Sequence, residues 1–362
     1  MRSSHLPTIE KLTVRPVCVP LQHPHKTASG VITESPLVLC DITTSDNVTG
    51  HSLIFTYTKA ALKSTAILLK ELEPLIAGKP LAPKTLELEL SEKFRLLGKQ
   101  GLVAMTIAAI DMALWDALAR TRHCSLSQLL GASEKPIKAY GGIGFDGVKG
   151  CEKSAAYWME QGFAGVKAKI GYATADDDLA VVQAIRNIVG DKTALMIDYN
   201  QSLTPTEAIE RLKLLENEQL TWIEEPTRAH DYVGHAEIAQ AIKTPIQCGE
   251  NWWGLTDLQH ALNHQCSDYI MLDVMKIGGV TGWVESAALA HSHQKQVSSH
   301  LWPEISAQLL SATPTAHWLE YIDWWNPILL NPLKIENGFT VPNNAIGSGI
   351  EWNEERVGEF LV

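Results

Sequence analysis

Apolar positions follow two rhythms along this chain, and the change between them falls near residue 135. Before it, residues 11–20 and 36–43 read as strands and residues 59–75 and 102–120 repeat at helical spacing, which predicts an α+β domain. The helix at 102–120 is apolar around most of its circumference, so it belongs in an interior or at a subunit contact. Between the two strands, residues 23–30 (HPHKTASG) are polar and carry Pro and Gly, and read as a mobile loop. From residue 136, short apolar runs at 165–170, 194–199, 220–225, 245–250, 269–274 and 296–300 alternate with helical stretches. Buried strands alternating with helices predict a parallel sheet, and this many successive units favour a closed (β/α) barrel. Near the end, Asn337-Gly338 separates two strand-like halves of 333–341, a hairpin expected to return to the first domain. The expected division is therefore 1–132 for the α+β domain, 133–325 for the barrel and 326–362 for the returning segment.

Composition narrows the function. A 362-residue chain with 45% hydrophobic and 20% charged residues is an ordinary globular protein, not a disordered one. Its net charge of −11, with no basic block, argues against nucleic acid or an anionic membrane as partner and favours a small solute. No secretory signal is expected, since Glu10 and Lys11 fall where an apolar core would lie, and the apolar stretch at 101–119 is interrupted by Asp111 and Asp116. Six scattered cysteines without a C-x-x-C pair suit reduced thiols in a cytoplasm.

The ionisable residues fall at the ends of the barrel strands. Lys167 and Lys169, at strand spacing, point to one face. Asp198, Glu224 and Glu250 each end an apolar run, at a constant interval of 26 residues, so one βα unit separates each from the next and all three rise to one rim. Three converging carboxylates need a divalent cation, and an all-oxygen set suits Mg²⁺, with Mn²⁺ as a substitute. Lys169 becomes a base if Lys167, two residues away, lowers its pKa by like-charge repulsion. His300 ends a later strand as a second acid/base group, Asp273 on the preceding strand can fix its tautomer, and Glu320 ends the run after it.

At this point the chain resembles, over essentially its whole length, the mandelate racemase subgroup of the enolase superfamily. The segments that carry the likeness are 166–171 (VKAKIG), 198–203 (DYNQSL), 221–227 (TWIEEPT), 249–252 (GENW), 275–283 (MKIGGVTGW), 298–301 (SSHL) and 312–320 (ATPTAHWLE). The resemblance implies a modified (β/α)7β barrel of TIM type, an α+β capping domain built from the N-terminal part and the C-terminal tail, and a homo-octamer. It implies Asp198, Glu224 and Glu250 as Mg²⁺ ligands, and Lys169 and His300 as bases on opposite faces of a substrate α-carbon, with an enediolate between them. Lys167 would neutralise the substrate carboxylate, Asp273 pair with His300, Asn200 bond the 2-hydroxyl, and Glu320 donate a proton or strong hydrogen bond. Phe55, Tyr57 and Leu301 would keep an aromatic-friendly pocket, while the capping loop, apolar by the resemblance, here carries His25, Lys26 and Ser29 beside Ala28, Val31 and Ile32. The expected activity is racemisation of a 2-hydroxycarboxylate, mandelate or a relative. The alternative is dehydration of an aldonate or aldarate sugar acid by the same base and metal.

Overall fold

The computed structural model describes residues 6–27, 30–133, 135–340, 342 and 345–362; Ala28, Ser29 and Val341, on which sequence expectations fell, lie outside them. The N-terminal part is an antiparallel sheet of β1 (Ile9–Thr27), β2 (Gly30–Thr44) and β3 (Thr49–Phe55), backed by α1 (Lys59–Glu71), α2 (Glu73–Ile76), α3 (Pro83–Lys93) and α4 (Gly101–Thr121). Among the described residues, α4 alone is long and apolar enough to cross a membrane, and most of it is buried inside the fold. It lies close on β3 because residue 50 is glycine: a Cβ there would sit 2.1 Å from the Ala113 carbonyl oxygen.

Of the segment expected to be a mobile loop, residues 23–27 and Gly30 are instead strand. Residues 25–27 pair with 30–32 across the tip of the β1–β2 hairpin, after a register shift between Pro20 and His25. The polar composition is explained by position, since the tip leaves its own sheet and docks on the barrel, where the Phe145 amide donates to the Lys26 carbonyl (2.8 Å).

After α5 (Leu126–Leu129), strands and helices alternate. The strands are β4 (Ile137–Ile143), β5 (Gly165–Lys169), β6 (Ala194–Asp198), β7 (Ile223–Glu224), β8 (Ile246–Cys248), β9 (Tyr269–Asp273), β10 (Gln296–His300) and β11 (Trp318–Tyr321). Between them run α6 (Gly147–Glu160), α7 (Ala175–Val189), α8 (Pro205–Leu215), α9 (Tyr232–Ala241), α10 (Gly254–His264), α11 (Gly279–Ser292) and α12 (Pro303–Ala312). Neighbouring strands are parallel from β4 to β10, β11 pairs with β4, and a bridge between Val297 and Ala316 joins the two ends. This is the enolase-type modified TIM barrel with its capping domain. Local sequence fixes the helix starts: Thr174 with Asp177 and Thr204 with Glu207 form capping boxes, the latter with Pro205 in the first turn.

Past the barrel, Asn337 and Gly338 take positive φ (51° and 82°) in the turn before β12 (Phe339–Thr340), which adds antiparallel to β4. The remaining chain, with α13 (Glu354–Glu359), packs on the N-terminal sheet: Trp352 Nε1 donates to Asp41 (2.7 Å) and the Cys18 amide to the Phe360 carbonyl (2.9 Å). All six cysteines are free thiols.

Candidate active site

Strand pairing brings the rim residues together. Lys169 stands level with Asp198, Asp198 with Glu224, and His300 with Asp273 in adjacent strands. Asp198, Glu224 and Glu250 are buried, and one oxygen from each lies within 4.8 Å of the others. Burial, reinforced by Asp198, Glu250 and Glu320 and opposed by Lys167, pushes the Glu224 carboxyl up to about 8. Glu250 stays well below the ordinary range: burial would raise it, but His300 and the lysines outweigh that. Glu250 Oε2 is buried without a hydrogen-bond partner among the described residues. A hard dication fits these three residues, because it takes oxygen ligands only and relieves crowding that water cannot reach.

The two lysines behave differently from expectation. Lys167 is buried between Glu224, which it contacts directly, and Glu320 (2.8 Å); burial would lower its pKa, but these carboxylates hold it well above the usual lysine value. Lys169 contacts Asp198, and its pKa is raised, not lowered. Burial and Lys167 do act downward as the spacing argued, but Asp198, Glu250 and Glu224 outweigh them. His300 Nδ1 donates to Asp273 Oδ2 (2.7 Å), and Asp273 Oδ1 is held by the Met275 and Lys276 amides (2.9 and 3.0 Å). That pairing leaves Nε2 facing Glu250 Oε2 at 3.3 Å. Burial would lower the imidazole pKa, yet Glu250 and Asp273 outweigh it and hold it above the ordinary histidine value. Glu320 is ionised here, because Lys167, His300 and Lys169 overcome its burial; its Oε2 also accepts from the Leu301 amide (3.0 Å).

A cavity of 460 Å³ opens beside these groups. Lys167, Lys169, His300, Leu301 and Glu320 line one end, and His25 with Lys26 from the hairpin tip reach over it. Burial, reinforced by Lys169, brings His25 down to about 4, so it is neutral, with its ring 5.3 Å from that of Trp324. Three expected substrate contacts sit elsewhere. Asn200 turns back on Asp198, its amide donating to Oδ1 (2.6 Å) and its Nδ2 to Oδ2 (3.1 Å). Phe55 packs 5.5 Å behind Trp324, and the Tyr57 ring lies under the Lys276 ammonium (4.9 Å).

Sequence reasoning missed the far end of the cavity, formed by Asp146, Lys153, Ser154, Tyr157 and Trp158 with Asp323 and Trp324. Its signal was available in the helical spacing of 150, 153, 154, 157 and 158. Trp158 can lie there because residue 141 is glycine: a Cβ would be 2.2 Å from the indole, whose Nε1 donates to the Gly142 carbonyl (2.8 Å). Also missed were Trp222 and Gln247, which hold Glu224 from inside the barrel.

Comparison with known proteins agrees with this geometry. Residues 9–131 match the mandelate racemase / muconate lactonizing enzyme N-terminal domain, and residues 151–356 the enolase C-terminal domain-like family. L-talarate/galactarate dehydratase of Salmonella typhimurium is 30% identical over 262 residues, 72% of this chain and 66% of that protein, so the match spans about two thirds of the relative. An enolase from Bradyrhizobium, solved with magnesium and mandelic acid, is 41% identical with a TM-score of 0.96 over 100% of both chains. L-Talarate dehydratase from Polaromonas, solved with Mg and L-glucarate, is 26% identical with a TM-score of 0.92 over 98% of both chains.

Proposed function

This chain belongs to the mandelate racemase / muconate lactonizing enzyme family of the enolase superfamily, and from that premise we propose that it dehydrates a sugar acid. The coarser activity is that of a Mg²⁺-dependent enzyme that removes a proton α to a carboxylate. The observation that carries the finer reading is the polar far end of the cavity, where His25, Lys26, Asp146, Lys153, Ser154 and Tyr157 offer donors and acceptors to a hydroxylated chain.

Asp198, Glu224 and Glu250 would hold Mg²⁺, which supplies Lewis acidity at the substrate carboxylate. Lys169 sits between Asp198, which raises its pKa, and Lys167, which lowers it; were Asp198 drawn into ligation, the Lys167 side would dominate and Lys169 would be freed as a base. Lys169 Nζ takes the α-proton, while the Lys167 ammonium faces the carboxylate as charge builds on it. His300, held by Asp273 at Nδ1, gives a proton from Nε2 to the departing 3-hydroxyl. Water leaves, and the resulting enol becomes a 2-keto-3-deoxy acid.

A second reading, racemisation of mandelate or a relative, is favoured by the two bases on separate strands, β5 and β10, and by the mandelic acid in the Bradyrhizobium enolase. The two are separated by incubation with Mg²⁺ in D₂O against mandelate and a panel of aldonic and aldaric acids, followed by ¹H NMR. A 2-keto-3-deoxy product is expected from one of the sugar acids. Deuterium at the mandelate α-carbon, with no product from any sugar acid, would overturn the dehydratase reading in favour of the racemase.

A further inference from the structure

We propose that Lys276, which the chemistry above does not use, is a positioning residue for the metal site: through Asn251 it sets the carboxylate of Glu250 for the divalent cation, and Tyr57 of the capping domain helps hold it there. The inference concerns the metal site alone and stands whether the substrate is dehydrated or racemised.

The chain of contacts starts from a buried charge. Lys276 lies three residues past the end of β9 and is 6% exposed. A buried ammonium is costly unless it is hydrogen-bonded, and Lys276 Nζ donates to Asn251 Oδ1 at 2.7 Å. That contact orients the amide. A lysine can only donate, so the amide oxygen must face it, and the NH₂ group is turned to acceptors. Asn251 Nδ2 donates to Glu250 Oε1 (3.2 Å) and to Glu225 Oε2 (2.8 Å). Glu250 belongs to the ligand group, whereas Glu225, buried beside the ligand Glu224, lies outside it. One amide therefore fixes the plane of a ligand carboxylate and holds aside the acidic neighbour of another.

The backbone of Lys276 is anchored on both sides. Its amide donates to Asp273 Oδ1 (3.0 Å), the carboxylate that holds His300, and its carbonyl accepts from the Gly254 amide (3.2 Å) at the start of α10. The turns after β8 and β9 are thus tied together, which leaves the lysine side chain little freedom. The capping domain closes the chain: the Tyr57 ring centroid lies 4.9 Å from Nζ, a cation–π contact. Tyr57 takes a φ of 59°, uncommon for a large residue and kept where surrounding contacts impose it. Lys276 stands where the metal ligand, the Asp273–His300 pair and the capping domain meet.

Charge and position predict opposite signs. Lys276 is a positive charge felt at Glu250, so bare electrostatics has its removal tighten Mg²⁺ binding, whereas positioning has its removal weaken it. Calorimetric titration of the metal-free protein with Mg²⁺, in the absence of substrate, decides between them. Lys276→Met is expected to weaken Mg²⁺ binding by about tenfold or more, and Asn251→Leu by a similar factor. The double variant should lose no more than either single one, because the two side chains are links of one chain. Tyr57 is 42% exposed, so Tyr57→Leu probes the same chain without opening the core and should weaken binding by about two- to fivefold. Thermal melts identify any variant that fails to fold, and Tyr57→Leu then carries the test. Mg²⁺ affinity unchanged or tightened in Lys276→Met, multiplied losses in the double variant, or unchanged affinity in Tyr57→Leu would overturn the assignment. No substrate enters the measurement, so its failure leaves the dehydratase reading untouched.

Discussion

Glu224 illustrates how a single side chain is prepared for its task. One of its oxygens meets Lys167; the other accepts from Trp222 Nε1 at 3.0 Å and Gln247 Nε2 at 3.1 Å, both from within the barrel. These neutral donors fix the carboxylate plane without adding positive charge that would repel a cation, the pattern by which outer groups orient metal ligands. Gln247→Leu is therefore expected to weaken Mg²⁺ binding by about 10- to 100-fold, read by calorimetric titration of the metal-free protein. Unchanged affinity would show that the barrel interior does not set the Glu224 geometry. Neither donor was legible from sequence. Trp222 reads as packing, and indeed it packs with Tyr140, Met196, Met271 and Trp318, while Gln247 is a neutral amide in a strand only three residues long.

At the scale of elements, legibility followed the range of the forces involved. Six barrel strands were readable because each buries a short apolar run with an ionisable residue at or just past its end, and five of the six start within a residue of expectation; β7 begins later, at Ile223. Helix α4 was readable for the same reason. The expected helix at 59–75 breaks at Leu72, just before Pro74, into α1 and α2. The hairpin tip was not readable, because its order comes from cross-strand hydrogen bonds and from docking on residue 145, and neither leaves a mark in local hydrophobicity. The α4–β3 contact supplies a stability test. Gly50→Ala would drive a methyl into the backbone of α4, near the Ala113 oxygen and the Ala117 nitrogen at 2.4 Å. Overpacking against backbone is expected to cost at least ~3 kcal/mol in urea unfolding, and a neutral result would contradict the close approach.

The whole molecule divides its work between two parts of the chain. The barrel rim supplies the chemistry, and its residues could be located from sequence because one βα unit repeats between them. The rest of the cavity is a wall assembled from the hairpin tip, α6 and the segment after β11, which are distant in sequence and meet only when the capping domain docks. That is why the acid, base and ligand set was visible beforehand while Lys153, Tyr157 and Trp158 were not, and why the expected activity leaned toward a phenyl acid until the polar wall was seen.

The central claim is that Lys169 removes the α-proton and His300 acts after it. The measurement that tests this most directly is α-proton exchange in D₂O, followed by ¹H NMR beside product formation, for the wild type, Lys169→Met and His300→Asn with Mg²⁺ present. Lys169→Met should lose exchange and turnover together, by about 10³-fold. His300→Asn should lose turnover yet still exchange the α-proton, because Lys169 and Lys167 remain in place to remove it and hold the charge. Exchange at the wild-type rate in Lys169→Met, or full turnover in His300→Asn, would contradict the assignment of the two groups.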